Sequence, residues 1–311
     1  TSRCIQQGCK KYDHCKRRNT IRDMSEEETQ QKVVLITGCS SGIGLETAIE
    51  CCKNNMYVFA CVRNPNKAFE LKKRMEDENL TEIKIIEMDV SNDISIKNGI
   101  SQILNLTDRI DVLFNNAGRM ILGSLEDLTD SELIGQINTD LRGVIILTKN
   151  IIPIMRKNKS GLIINMSSVA GRIGFPLSTA YCISKFGIEG LSQALRRELM
   201  LRNINVCLIE AGVVNTKFFS NMSDAVMSKD SAYADETKIM RDSINKIQKE
   251  KFSQASDVSK EVLKIINDGG KEFRYIVGND AEAMIAALES SQDDQIKMDT
   301  AIYNIMKEWE N

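Results

Sequence analysis

The most constraining feature of this 311-residue sequence is a repeat of short apolar strands, each followed by a helical stretch. The strand candidates are Val33–Thr37, Met56–Cys61, Ile83–Met88, Val112–Asn115, Leu162–Ser167, Val206–Glu210 and Phe273–Val277. Several are continuous apolar runs with no polar alternation, which is how a strand reads when both its faces are covered. Helical stretches lie between them. "SNDISIKNGISQILN" opens with Ser and Asn caps, and Thr129 with Glu132 fits a capping box at the head of one long helix over about 129–157. Alternation this regular predicts an α/β, doubly wound fold with a seven-stranded parallel sheet flanked by helices. Right-handed crossovers then put all strand C-terminal ends on one edge.

The sequence shows no internal repeat and no interior linker, so residues 24–311 are expected to form one domain. Residues 1–23 carry seven Lys/Arg against two Asp and few apolar residues, and are expected to be a disordered basic extension before a start at Met24. Cys4, Cys9, His14 and Cys15 lie there in a spacing that matches no zinc pattern, and no metal is expected. The whole chain has a formal charge of −2, which does not point to nucleic acid. No apolar run approaches the roughly 18 residues of a membrane span. Nine cysteines, an odd number without framework spacing, point to a reducing, cytoplasmic compartment. The sole histidine is His14. From Met24 onward the chain therefore cannot build a Ser-His-Asp triad, a Cys-His pair or a His-ligated metal, and proton chemistry falls to Tyr, Lys, Asp, Glu, Cys or water.

"TGCSSGIG", Thr37 to Gly44, sits where the first strand becomes a helix. Glycines there permit close approach of backbone, and free N–H groups at a helix start attract phosphate. A tight turn without a ligand would read the same way. Further along come "NNAG" (Asn115 to Gly118), Ser168 in "INMSSVAG", "YCISK" (Tyr181 to Lys185) and "EAGVVNT" (Glu210 to Thr216). These five motifs, in this order over roughly residues 32–280, resemble the short-chain dehydrogenase/reductase family. Among its members the chain looks most like those acting on steroids, retinoids and other lipid-like alcohols or ketones, and like broad carbonyl reductases.

Tyr181 and Lys185 are four apart and share a helix face. A nearby ammonium favours the phenolate, so the Tyr181 pKa is expected below its usual value of about 10. The resemblance implies that Tyr181 exchanges the proton, Lys185 tunes it and holds the nicotinamide ribose, and Ser168 bonds the substrate oxygen. Asp140 stands where many members carry Asn, and a carboxylate there is expected to alter the pH dependence. Ala211 replaces the family's Pro before Gly212. Cys182 is expected to pack.

The cofactor positions implied by the resemblance are Thr37, Gly38, Ser40, Ser41, Gly42, Ile43 and Gly44 at the turn, and Asp89 and Val90 at the adenine. Asn115, Ala117 and Gly118 follow the fourth strand, and Tyr181, Lys185, Gly212, Val214 and Thr216 lie toward the nicotinamide. Arg63 follows the second strand, and no Asp or Glu occurs between Glu50 and Glu70. An acidic residue there would favour NAD, so Arg63 points to NADP (NADPH), with NAD remaining possible.

Residues 215–255 form the expected substrate lid. Phe218, Phe219, Met222, Val226, Met227, Tyr233 and Met240 in it suit an apolar ligand or the packing of lid helices. The segment 280–311 is expected to be helical, with Met284, Ile285, Ile302, Ile305, Met306 and Trp309 as an apolar stripe. The leading function is an NADP-dependent alcohol/carbonyl oxidoreductase with a small-molecule substrate. The alternatives are a 3-oxoacyl reductase of fatty-acid synthesis and a nucleotide-sensing binding protein with weak catalysis. The resemblance also implies a homodimer or homotetramer formed through the helices near 129–157 and 181–203.

Overall fold

Val33–Thr37 (β1) is buried along its whole length. Its residues alternate between two apolar layers, Val34 and Ile36 into one and Val33 and Leu35 into the other. A strand treated this way needs helices on both sides, and a computed structural model supplies them. The structure describes residues 31–225, 231–247, 253–291, 294 and 296–300. Contacts divide the chain into residues 1–30 and 31–311, and the described residues belong to the second unit. The expectations for the tail, for Val226 and Met227, and for Ile302, Ile305, Met306 and Trp309 lie outside the described residues.

The other strands are Tyr57–Val62 (β2), Ile83–Glu87 (β3), Val112–Asn115 (β4), Gly161–Met166 (β5), Ile204–Ala211 (β6) and Arg274–Val277 (β7). They form one seven-stranded sheet of order β7-β6-β5-β4-β1-β2-β3, and every pairing is parallel. This is the doubly wound fold. The longer helices are Gly42–Lys53 (α1), Phe69–Asp77 (α2), Asp93–Leu104 (α3), Asp130–Ile137 (α4), Gly143–Asn158 (α5), Thr179–Leu199 (α6), Ala234–Ile247 (α7), Ala255–Asp268 (α8) and Asn279–Ser290 (α9).

One apolar layer packs Leu45 and Ile49 of α1 and Val258, Val262 and Ile265 of α8 on the sheet. The other packs Ile96 and Ile103 of α3 and Leu147, Ile151 and Met155 of α5. The chain adds strands outward from β1 to β3 and then returns to start β4 on the opposite side of β1. That reversal opens a crevice at the C-terminal ends of β1 and β4, where such sheets bind ligands. No described helix is long and apolar enough to cross a membrane.

Three local outcomes differ from the sequence expectations. Strand ends move by one or two residues, because hydrophobicity marks the buried middle of a strand and not its last hydrogen bond. The expected long helix over 129–157 forms, but with an irregular turn inside it. The capping box forms, with Thr129 N–H donating to Glu132 at 2.9 Å and Glu132 N–H to Thr129 Oγ1 at 3.2 Å. After α4, however, residues Asn138–Arg142 widen into one turn of π-helix before α5. Such single turns recur at functional sites, and here the turn carries Asp140 inward to 1% exposure. Finally, the C-terminal stripe is split, with Ile285 buried and Met284 38% exposed.

Candidate active site

β1 ends at Thr37, and the chain must turn at once into α1. Gly38 and Gly42 do this with φ of +75° and +62°, a region that side chains disfavour. Thr37 is buried, and its Oγ1 accepts hydrogen bonds from the N–H groups of Asn116 and Ala117, each at 3.0 Å. The Asn116 amide donates back to the Thr37 carbonyl at 2.9 Å. The first-strand turn and the segment after β4 are thereby locked together. Gly44 stands inside this lock, since a Cβ there would lie 2.5 Å from the Gly38 carbonyl oxygen.

The Ser41 side chain makes no capping bond to α1, and the first turn contains no acid. The first N–H groups of α1 are thus left for an outside acceptor, and the helix dipole favours an anion there. The residues present fit a dinucleotide's phosphates.

A cleft of about 860 Å³ runs from this turn. Of the candidate cofactor residues, Gly38, Ser40, Ser41, Gly42, Ile43, Arg63, Asp89, Val90, Ala117, Gly118, Gly212, Val214 and Thr216 line it. Ser168, Tyr181 and Lys185 line it as well. Thr37, Gly44, Asn115 and Asp140 are not among the lining residues. Thr37 and Gly44 build the turn from behind. Asn115 spans the sheet and α5, donating to Thr148 Oγ1 at 3.0 Å and to Asn165 Oδ1 at 2.8 Å. Arg63 is exposed and makes no ion pair among the described residues.

Ser168 lies two residues beyond β5, where its Oγ accepts from the Ala170 N–H at 3.2 Å. Tyr181 lies in the first turn of α6, with the Ser168 hydroxyl close to its own. Lys185, one turn on, is 5% exposed. Its Nζ donates to the Met166 carbonyl at 2.8 Å and sits 5.5 Å from the centre of the Tyr181 ring. Burial lowers the Lys185 pKa, against the opposing charges of Asp140 and Glu189.

The Tyr181 phenol does not follow the sequence expectation. Burial, aided by the charge of Asp140, raises its pKa above the ordinary value, and the neighbouring Ser168 hydroxyl only partly offsets this. The Lys185 ammonium is committed to the Met166 carbonyl. Before any ligand binds, Tyr181 is therefore a neutral phenol able to give up a proton.

The sequence profile of the family described as short chain dehydrogenase matches residues 32–226. This chain belongs to the short-chain dehydrogenase family. It is similar to a 3-ketodihydrosphingosine reductase of Bacteroides thetaiotaomicron, with 34% identity over 264 residues covering 84% of this chain and 93% of that protein. Among solved structures it is similar to ElxO with NADP bound, at 28% identity and a TM-score of 0.66, covering 79% of this chain and 97% of that one. A short-chain dehydrogenase/reductase from Burkholderia phymatum in complex with NAD shares the fold, with 20% identity, a TM-score of 0.76, and coverage of 86% and 95%. The protein is thus an NAD(P)-dependent oxidoreductase.

Asp140 takes an unusual position in this short-chain dehydrogenase. Its Oδ1 accepts from the Arg119 N–H at 3.0 Å, while Oδ2 is buried with no partner. Burial pushes its pKa from 3.8 up to about 7, against the pull of the Lys185 charge. Below that pH the carboxyl is neutral, and its proton gives the partnerless oxygen a donor role.

Facing the tyrosine, Met120, Leu122, Leu177 and Met222 form a small apolar core with Phe218, Phe219, Met240 and Ile244 packed on it. The Phe218 ring lies 6.0 Å from that of Tyr181. The lid aromatics Phe218 and Phe219 thus pack with the lid helix and also line the cleft. On the other side, Ser167 donates to Glu189 at 2.6 Å. Arg274 bridges Glu189 at 2.9 Å and the fully buried Glu210 at 2.7 Å. That network fastens the serine strand to β6 and β7. Cys182 is buried and accepts from the Phe175 N–H at 3.3 Å, so it packs as expected. Sequence reasoning missed Met120, Phe175 and Asp280 as lining residues. None of them stands in a motif; each is brought in by the fold alone.

Proposed function

We propose that this short-chain dehydrogenase reduces the ketone of a lipid-like substrate, using NADPH and taking its proton from Tyr181. The observation that carries this reading is a half-buried Tyr181, with the Ser168 hydroxyl beside it, in a cleft walled by Phe218, Phe219 and Met240. Ser168 and Tyr181 together offer two hydroxyls to one carbonyl oxygen. As the carbonyl carbon gains a hydride, its oxygen gains charge and takes the Tyr181 proton, and the product is an alcohol. The dinucleotide, when bound, supplies that hydride. Its phosphates would lie on the N–H groups of α1 beside Ser40, Ser41 and Gly42. Asp89 and Val90 would edge the adenine, and Gly212, Val214, Thr216 and Lys185 the nicotinamide end. Arg63, exposed and without an acid partner, suits a 2′-phosphate and supports NADP over NAD.

The similarity to a 3-ketodihydrosphingosine reductase supports a long-chain 3-keto lipid as the substrate class. The test is steady-state turnover on a panel containing a long-chain 3-keto lipid, a short ketone and a 3-oxoacyl thioester, each with NADPH and NADH. The expected result is a kcat/KM for the long-chain ketone with NADPH at least about tenfold above the short ketone, the worth of about two buried methylenes. A preference for the thioester would restore the fatty-acid reading. A preference for NADH would remove Arg63's role, and tight NADPH binding with no turnover would make the protein a sensor.

The chain is also proposed to pair with a second copy. The outward faces of α4, α5 and α6 leave Ile134, Ile145, Ile183 and Phe186 exposed. Sedimentation velocity is expected to give a dimer or tetramer, and a monomer at micromolar concentration would remove the idea.

A further inference from the structure

The family profile ends at residue 226, but the cleft does not. Helix α9 sends Asp280 and Met284 into its lining. Asp280 lies in the first turn of α9, and its Oδ2 accepts a hydrogen bond from the Val213 N–H at 2.7 Å. The same carboxyl group covers Gly212 so closely that a Cβ there would overlap it; the three atoms nearest that Cβ all belong to Asp280. Gly212 does not have a positive φ, so the carboxyl group and not backbone strain is what demands glycine. Ala281, the residue after Asp280, and Ile285 one turn further on pack with Val169, next to Ser168. A single helix thus braces both the serine loop and the segment after β6. Among the described residues no cation pairs with Asp280, and the Val213 N–H donates to it.

We propose that Asp280 is a positioning residue. Its carboxylate holds the Gly212–Val213 peptide so that this segment forms the wall against which the nicotinamide end of the dinucleotide rests. The inference rests on the nucleotide reading above. A carboxylate in the first turn of a helix also stabilises that helix through the dipole. The test must therefore move dinucleotide binding and not only stability.

Three variants of the full chain separate these roles, each followed by NADPH titration calorimetry, thermal unfolding and steady-state kinetics. Asp280→Ala removes the acceptor and is expected to raise the Kd and KM for NADPH about tenfold, the worth of one charge-assisted hydrogen bond. The KM for the ketone is expected to stay within about twofold. Asp280→Asn keeps an oxygen facing Val213 and is expected to recover most of the NADPH affinity. Gly212→Ala drives a methyl into the carboxyl group and should lose binding, whereas Gly212→Ala combined with Asp280→Ala has room for it and should bind more tightly than Gly212→Ala alone.

Unchanged NADPH affinity in Asp280→Ala, or a double variant no better than Gly212→Ala, would overturn the inference while leaving the nucleotide reading intact. If Asp280→Ala unfolds, Gly212→Ala decides the matter: NADPH affinity lost with the fold retained supports the inference, and unchanged affinity overturns it. Absence of NADPH and NADH binding by the unaltered protein would overturn both.

Discussion

Asp140 shows how much one side chain can set. Its folded pKa of about 7 lies above the ordinary 3.8, with burial as the main cause. Between those two values the folded protein holds a proton that the unfolded chain has released. Its contribution to stability is therefore full below pH about 4 and is lost as pH rises through 7. Asp140→Asn removes this titration while keeping the size. The variant is expected to melt a few degrees above the parent at pH 8, with the gap closing toward pH 4. Its pH–rate profile should also lack the inflection near 7 expected of the parent, because the charge beside Lys185 and Tyr181 no longer changes. A parallel pair of melting curves across pH 4–8, with matching rate profiles, would refute this account of Asp140. The sequence already marked Asp140 as a departure from Asn, by counting back from Gly143. It did not reveal the burial, and for the same reason it had the Tyr181 shift in the wrong direction. Spacing along a helix reports which charges are near, but not how little water is left around them.

At the scale of elements, strands were legible because covering both faces demands an unbroken apolar run, as in Val33–Thr37 and Val112–Asn115. The glycine-rich turn was legible because three glycines clustered at a strand-to-helix junction mark a backbone that needs positive φ or close approach. The π-turn at Asn138–Arg142 was not. The polar–apolar pattern runs through it without a break, and Gly143, which follows it, packs against the loop after β3 so closely that a Cβ would be 2.6 Å from the Val90 carbonyl oxygen. The turn at the head of α1 makes a firm prediction. Gly44→Ala places its methyl against the Gly38 carbonyl and the Asn116 amide, at 2.5 and 2.6 Å. It is expected to cost about 1–3 kcal/mol in chemical denaturation and to weaken NADPH binding at least about tenfold by displacing the N–H groups of α1. A variant with unchanged midpoint and affinity would show that the lock between β1 and β4 is not what shapes the turn.

For the whole molecule, the site is assembled from segments far apart in the chain: the turn at 38–43, the loop at 116–120, Ser168, the head of α6, residues 211–223 and the start of α9. Parallel strands and right-handed returns bring the motif-bearing ends to one edge, which is why motif order alone located most of them. What order could not supply was the apolar wall and the α9 brace, since nothing in "NDAEAMIAALES" distinguishes a cleft-lining helix from a peripheral one. The account stands on the claim that Tyr181 gives up the proton while the rest of the cleft holds the dinucleotide. The most direct measurement compares Tyr181→Phe with the parent, in NADPH titration and in turnover of the best ketone. The predicted result is an NADPH Kd within about twofold and a kcat reduced by roughly 10²–10⁴-fold, the range that a positioned proton donor contributes. A Tyr181→Phe variant that keeps kcat within a few-fold of the parent would contradict the account.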